Sequence, residues 1–337
     1  MLLSTSETFT RYNVALSSGA ELAELTLAYE TFGTLNAEGS NAILLCHGYT
    51  SHPHAGDDGG WFKNLMGPGK AVDTDNTFVV CSNMLGSAFG STGPASINPA
   101  IGVPYGPDFP LYSTKDMIAA QHALIDHLGI NQLKAVMGYS YGGHLTYLWG
   151  ATYPDRMRAL VPIAGVIERK TTTADIDALR ARFAECPGWK GGHYFDNERD
   201  SGVFDKLVVI RTETLKNYGI GKHLEDTVDD AALRAQMITA QAMDWAGHFD
   251  ANVLIKLAEA GIGSIADAAV IKAPLLNVLC NTDSVVPVSL GAPTVELLKS
   301  HGVDAVFLEL DSAYGHAGPT IDAALWADDL KAFLDGT

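Results

Sequence analysis

The chain has 337 residues, of which 47% are hydrophobic, enough for one large core with an inserted subdomain. Its 22 Lys and Arg against 39 Asp and Glu leave a formal charge of -17. That balance excludes a polyanion-binding surface, and with it nucleic acid as a partner, because phosphate contacts need clustered cations. Without an uninterrupted apolar stretch of membrane-spanning length, no membrane association is expected either.

The N-terminal twelve residues are polar and lack the apolar core of a signal peptide. Residues 12–16 and 22–29 read as an antiparallel lead-in hairpin. Residues 42–46 form an apolar run that reads as a buried strand, followed by His47-Gly48-Tyr49-Thr50. His47, His52, His54, Asp57 and Asp58 cluster in this loop, but their spacing fits no standard metal-ligand pattern, and no metal is expected. Gly67-Pro68-Gly69-Lys70 lacks both the Walker-A spacing and a preceding strand, so it is no phosphate loop. A second strand is expected at 78–81. A helix follows from the start signal Ser113-Thr114-Lys115-Asp116, with Met117, Gln121, Leu124, Ile125 and Leu128 at helical spacing and Gly129 as its stop.

Further buried strands are expected at 133–137, 160–163, 275–280 and 306–310. Near-continuous apolar strands alternating with helices argue an α/β fold with a mostly parallel sheet covered on both faces by helices. Residues 168–270 break this rhythm, with helical patterns at 207–218 and 231–243 and few strand-like runs. They read as a helical lid inserted into a core made of 1–167 and 271–337. Cys46, Cys81, Cys186 and Cys280 include no close pair, and three of them end strand-like runs. This argues buried, reduced thiols, no disulfide, and a cytoplasmic protein.

The most informative stretch is Gly138-Tyr139-Ser140-Tyr141-Gly142, a G-x-S-x-G pattern between the strand at 133–137 and a helix expected at 143–150. This strand, sharp turn and helix form the setting of a nucleophile elbow, as in the α/β-hydrolase fold, where the serine hydroxyl stands above the sheet. A serine needs a base to take its proton. In such sheets the acid and base follow in the order Ser, Asp or Glu, His, each on a loop after a strand. Asp283, after the strand at 275–280, fits the acid, and His316, after the strand at 306–310, fits the base. Asp311 competes with Asp283 but shares its strand end with His316. His301 competes with His316 but sits where a helix ends, a position that suits a cation. The oxyanion hole needs the N–H of the residue after the nucleophile, Tyr141, and one from the loop after the third strand, assigned to Tyr49. The two tyrosine side chains are read as pocket wall only.

Together these stretches make the sequence resemble the homoserine O-acetyltransferase family of α/β-hydrolases. The resemblance is densest over 67–165. It includes Gly67-Pro68-Gly69-Lys70-Ala71-Val72-Asp73-Thr74-Asp75, Gly90-Ser91-Thr92-Gly93-Pro94-Ala95-Ser96-Ile97-Asn98-Pro99, Asp108-Phe109-Pro110, the Asp116 helix, the elbow and Tyr153-Pro154-Asp155-Arg156. It thins over the lid, where Phe249-Asp250-Ala251-Asn252 still matches, and returns at Asp283 and His316. The resemblance implies a Ser–Asp–His triad, a deep tunnel under a helical lid, a covalent acetyl-enzyme and a homodimer joined through the lids. It also implies that a lid arginine, matched loosely by Arg211, binds a substrate carboxylate.

Two departures stand out. The family's Gly-Gly-Ser-Met-Gly-Gly is here Gly138-Tyr139-Ser140-Tyr141-Gly142-Gly143, and the acid that transferases carry directly after the catalytic His is here Ala317. Without that carboxylate, a buried substrate ammonium would be unpaired. The expected function is therefore a serine esterase acting on short-chain acyl esters, acetate esters foremost, without a cofactor and with a small-molecule ester as its partner. The alternatives are an O-acetyltransferase using acetyl-CoA with homoserine or another alcohol, and a non-catalytic receptor built on a hydrolase fold.

Overall fold

The computed structural model describes residues 4–56, 59–197 and 200–337. Its centre is an eight-stranded sheet of β1 (Ser4–Ala15), β2 (Glu21–Phe32), β3 (Ala42–Cys46), β4 (Phe78–Ser82), β5 (Ala135–Tyr139), β6 (Leu160–Ile163), β7 (Leu275–Cys280) and β8 (Ala305–Leu310). The spatial order is β1-β2-β4-β3-β5-β6-β7-β8. β1 and β2 pair antiparallel, β2 joins β4 antiparallel, and every later neighbour is parallel. This is the α/β-hydrolase arrangement.

The continuous apolar runs have a direct cause. Along β3, Ala42, Leu44 and Cys46 enter one buried cluster while Ile43 and Leu45 enter another on the opposite face. β5 divides in the same way, with Val136 against Ala135 and Met137. Alternate side chains point to opposite faces and both faces are covered, so every position must be apolar.

The lead-in hairpin is longer than the pattern at 12–16 and 22–29 suggests. Most of β1 is exposed and polar, so pairing with β2 from Ser4 opposite Phe32 to Ala15 opposite Glu21 makes the strand, not burial. β5 also starts later than residue 133. Leu133 makes only an isolated bridge to Met157, and the strand runs on through Gly138 and Tyr139, which pair with Pro162 and Ile163.

Helices α1 (Thr114–His127) and α2 (Tyr141–Thr152) cross between strands. α1 starts with the expected capping box, and Asp116 also accepts the Ser17 N–H at 2.7 Å, tying the helix to the hairpin. Between β6 and β7 lie α3 (Thr173–Ala184), α4 (Val203–Asn217), α5 (Ile220–Thr227), α6 (Ala231–Ala246) and α7 (Ala251–Ala260). α4, α5 and α6 share a small apolar cluster of Leu215, Leu224, Ile238 and Ala242. α7 is buried over almost its whole length. Asp250 caps it, accepting the Val253 N–H at 2.9 Å, and Asn252 donates to Gly192 O at 3.0 Å. After β7 come α8 (Gly291–Ser300), α9 (Gly318–Ile321) and α10 (Ala327–Asp335). All four cysteines are buried and free. No helix among the described residues is long and apolar enough to cross a membrane.

Candidate active site

Parallel register gathers the carboxyl ends of β3, β5, β6, β7 and β8 on one edge. Cys46 lies beside Gly138, Tyr139 beside Ile163, and Cys280 beside Leu310. Loops leaving these ends carry Tyr49, Ser140, Asp283 and His316. Ligand sites of open α/β sheets form along this edge.

Ser140 is the corner residue between β5 and α2, with φ 59° and ψ −113°. That conformation is left to glycine almost everywhere, so the serine is held there by its surroundings. Its N–H donates to Ile163 O at 2.8 Å and its carbonyl accepts the His144 N–H at 3.1 Å. Two neighbours must be glycines for the turn to close. A Cβ at Gly138 would stand 2.1 Å from Gly142 O, and one at Gly142 would stand 2.0 Å from Cys46 O.

His316 Nε2 lies 2.8 Å from Ser140 Oγ, and His316 Nδ1 lies 2.7 Å from Asp283 Oδ2. The side chains of both His316 and Asp283 are fully buried. Asp283 Oδ1 accepts the backbone N–H groups of Val285 at 2.7 Å and Val286 at 3.0 Å. Acceptor-only Asp283 assigns the imidazole proton to Nδ1, which leaves Nε2 to accept from the serine hydroxyl. The competing acid, Asp311, instead accepts from Asn281 Nδ2 at 2.6 Å. His301 caps the end of α8. His316 is clamped further by Tyr139 Oη, which donates to its carbonyl, and by the Tyr218 ring, edge-on at 4.6 Å.

Tyr141 is the first residue of α2, where N–H groups have no intrahelical acceptor. Among the described residues, neither its N–H nor that of Tyr49 is taken by a protein acceptor. The two tyrosine rings stack at 5.9 Å. Their hydroxyls do more than line a wall: Tyr49 Oη donates to Leu254 O and Tyr141 Oη to Leu257 O at 3.0 Å, fastening both loops to α7. Burial raises the Tyr141 phenol to about 12, partly offset by the Arg169 guanidinium, so it stays a neutral donor. His47 fixes the start of the Tyr49 loop, with Nε2 2.9 Å from Asn83 Oδ1 and Nδ1 2.8 Å from Gly48 O.

Ser140 borders two cavities. One, of about 360 Å³, is lined by Tyr49, Tyr139, Arg211, Tyr218, Ala317 and Thr320 among others. Arg211 Nη1 donates to Thr50 Oγ1 at 2.9 Å, and its guanidinium carbon lies 5.2 Å from the Trp245 ring centre. Its Nε is buried with no hydrogen-bond partner among the described residues, and desolvation pushes its pKa down. Ala317 is buried, and its N–H donates to Tyr218 O at 2.8 Å. The second cavity, of about 570 Å³, lies beyond Tyr141 and contains Arg169, a residue that the sequence patterns do not mark.

Among the described residues no group of three or more His, Cys, Asp or Glu side chains is placed to hold a metal. His54 pairs with Glu30 at 2.9 Å, and Asp57 and Asp58 lie outside the described residues.

A family model described as alpha/beta hydrolase fold matches residues 41–204. A homoserine O-acetyltransferase from Symbiobacterium thermophilum is 37% identical over 95% of this chain and 91% of its own length. One from Moorella thermoacetica is 35% identical over 95% and 92%. The chain belongs to the homoserine O-acetyltransferase family of α/β-hydrolases. Among solved structures of similar shape, a homoserine O-acetyltransferase from Bacillus anthracis superposes with a TM-score of 0.87 at 26% identity, covering 99% of this chain and 98% of that one. Esterase E22 superposes equally well, with a TM-score of 0.87 at 25% identity over 98% of this chain and 100% of that one. The family fold thus carries proteins named as transferases and as esterases, and the names of the curated sequence relatives fall on the transferase side.

Residues 90–99 lie against β2. Ser91 Oγ accepts the Ala28 N–H at 3.1 Å and Thr92 Oγ1 accepts the Thr26 N–H at 2.8 Å, so the run seals one edge of β2.

Proposed function

We propose that this protein is an acyl-transfer enzyme working through an acyl-Ser140 intermediate, with water as its main acyl acceptor. The supporting observation for the chemistry is the unbroken hydrogen-bond line from Asp283 through His316 to Ser140. His316 Nε2 takes the hydroxyl proton as Ser140 Oγ attacks the ester carbonyl. The carbonyl oxygen gathers negative charge against the N–H groups of Tyr49 and Tyr141. The bond to the alcohol breaks, and His316 hands its proton to the leaving oxygen. Water, deprotonated by the same imidazole, then releases the acid. Asp283 orients the ring and stabilises the imidazolium.

The observation bearing on the acceptor is Ala317. A methyl group stands where an acid would be needed to hold an ammonium against the site, so an amino-acid alcohol is held by its carboxylate end alone. Arg211, half-buried and without a carboxylate within ion-pair distance among the described residues, suits that carboxylate. The reading is a hydrolase for short-chain esters whose alcohol half is anionic.

The second reading is homoserine acetylation from acetyl-CoA. It is favoured by the names of relatives 35–37% identical over nearly the full length, and by Asp244, an exposed carboxylate at the margin of the Arg211 cavity. Product partitioning separates the two. The enzyme is given an acetate ester with millimolar homoserine, and free acetate is measured against O-acetylhomoserine. Dominant acetate supports the hydrolase, dominant O-acetylhomoserine the transferase. Ala317→Asp should raise the transferred fraction.

Residues 168–270 act in this reading as a lid over the sheet edge, with α4 to α6 carrying their own small cluster. The exposed Val209, Leu233 and Met243 on α4 and α6 are the surface through which a second copy would pair, a state that light scattering reads directly. The site of action is the cytoplasm.

A further inference from the structure

Ser140 stands between two cavities, and each contains an arginine with no acidic partner within ion-pair distance among the described residues. His316 delivers its proton to the leaving oxygen, so the alcohol half of an ester lies on the side of the His316 loop, beside Ala317 and Thr320. The acyl half then points the other way, past Tyr141 into the cavity of about 570 Å³. That cavity is lined by the apolar side chains of Val166, Ile167, Val285, Val286 and Leu290 and by Arg169.

Arg169 is a built feature. Its guanidinium carbon lies 4.4 Å above the Tyr141 ring centre. Its Nη2 donates to Thr171 Oγ1 at 3.2 Å, while its Nε is buried and has no partner among the described residues. On its other side is Gly261, where a Cβ would lie 2.5 Å from that Nε. The backbone is pinned too, by the Arg169 N–H to Ser264 O at 2.9 Å and by bridging of Glu168 to Ile265. The two acids in the cavity wall are engaged elsewhere. Glu168 pairs with Lys170 at 2.5 Å, and Asp175 accepts from Thr172 N and Oγ1, both at 2.8 Å. A partly buried guanidinium left without an anion in a chain of net charge -17 awaits one from its ligand.

We infer that Arg169 binds a carboxylate at the far end of the acyl group, so that the preferred acyl half is that of a short dicarboxylic acid rather than acetyl. This rests on the acyl-Ser140 reading. In this inference the apolar side chains of the cavity take the methylenes, and the guanidinium takes the terminal charge.

The test compares three ethyl esters by ethanol release: monoethyl succinate, ethyl levulinate (a neutral methyl ketone in place of the carboxylate) and ethyl acetate. For the wild-type enzyme, kcat/KM for monoethyl succinate should exceed that for ethyl levulinate by about 10- to 100-fold, the span of one charge-assisted hydrogen bond. Arg169→Gln should bring this ratio to about one, and Arg169→Lys should restore part of it. The wild-type ratio needs no variant to fold. A parallel pair, the acetate ester of 4-hydroxybutyrate against butyl acetate, places the carboxylate on the alcohol instead. That selectivity should follow Arg211→Gln and not Arg169→Gln. A wild-type ratio at or below one, with ethyl acetate still turned over, overturns the inference and leaves the acyl-serine reading standing. Loss of the alcohol-side selectivity in Arg169→Gln also overturns it. Failure to turn over all three ethyl esters, with no acyl group on Ser140, removes both.

Discussion

Replacing Ser140 by glycine and by alanine separates catalysis from backbone strain. Both variants lose the hydroxyl and its 2.8 Å contact to His316, so this loss cancels between them. Alanine keeps a Cβ at φ 59° and ψ −113°, whereas glycine adopts that region freely. A side chain forced there costs about 1–3 kcal/mol. Glycine gives back about 0.4–1 kcal/mol through the greater freedom of its unfolded chain. The net is about 0–2.6 kcal/mol in favour of Ser140→Gly. An unfolding entropy of about 2.1 cal/mol/K per residue over this length makes the gap at most about 4 °C in Tm. Scanning calorimetry of the two variants side by side reads it. Both should fall by about 10⁴ to 10⁶ in kcat, since the nucleophile is gone. If Ser140→Gly melts below Ser140→Ala, the elbow does not hold the strain that its dihedral angles indicate.

Asp283→Asn should leave the fold intact and cost on the order of 10⁴ in kcat by favouring the wrong imidazole tautomer, while Asp311→Asn, whose partner is Asn281, should be mild; steady-state kinetics of the pair decides the acid. Tyr141→Phe removes the hydrogen bond to Leu257 O and should cost about 1 kcal/mol in urea unfolding, yet retain most of kcat, because only the backbone N–H serves the carbonyl oxygen. Burial lowers His47 and His144 to about 4 from 6.5, so both fold as neutral rings. Their depressed folded values mean the unfolded chain binds protons first. Stability is therefore full above the unfolded value and is lost as pH falls from 6.5 toward 4. Between pH 7 and 5 the loss should be about 2 kcal/mol for each, on the order of 4 together, read by denaturant titration at the two values.

The β-sheet is legible because burial on both faces leaves little room for polar residues in β3, β5 and β6, and β7 carries only the buried Asn277 among apolar neighbours. β1 was harder to bound, since an exposed strand held by pairing need not be apolar. The elbow and the loops after β7 and β8 were legible from residue type and chain order, because parallel strands end on one edge and their loops must meet there. What the pattern did not carry is the packing of the helices between β6 and β7. α7 has an amphipathic period, with Asn252, Lys256 and Glu259 along one face, but Asn252 and Lys256 are buried as well, which the period does not foretell. The roles of Leu254 and Leu257 as acceptors for Tyr49 and Tyr141 are backbone matters that side-chain chemistry does not announce. Arg169 was invisible for a related reason. Its neighbours Tyr141 and Gly261 are distant in the chain, and an arginine beside Glu168 and Lys170 reads as one more solvated charge. Arg211 is marked only by family resemblance, and its lack of a carboxylate within ion-pair distance among the described residues shows only in three dimensions.

Acyl transfer through Ser140 leaves a covalent trace. Rapid acid quench during turnover of an acetate ester, followed by peptide mass spectrometry, tests it most directly. The expected result is the added mass of one acetyl group on the peptide containing Ser140, accumulating in His316→Ala only after added imidazole replaces the missing base. An acetyl group on one of the cysteines, or turnover with Ser140 unmodified in every quenched sample and undiminished in Ser140→Ala, would contradict it.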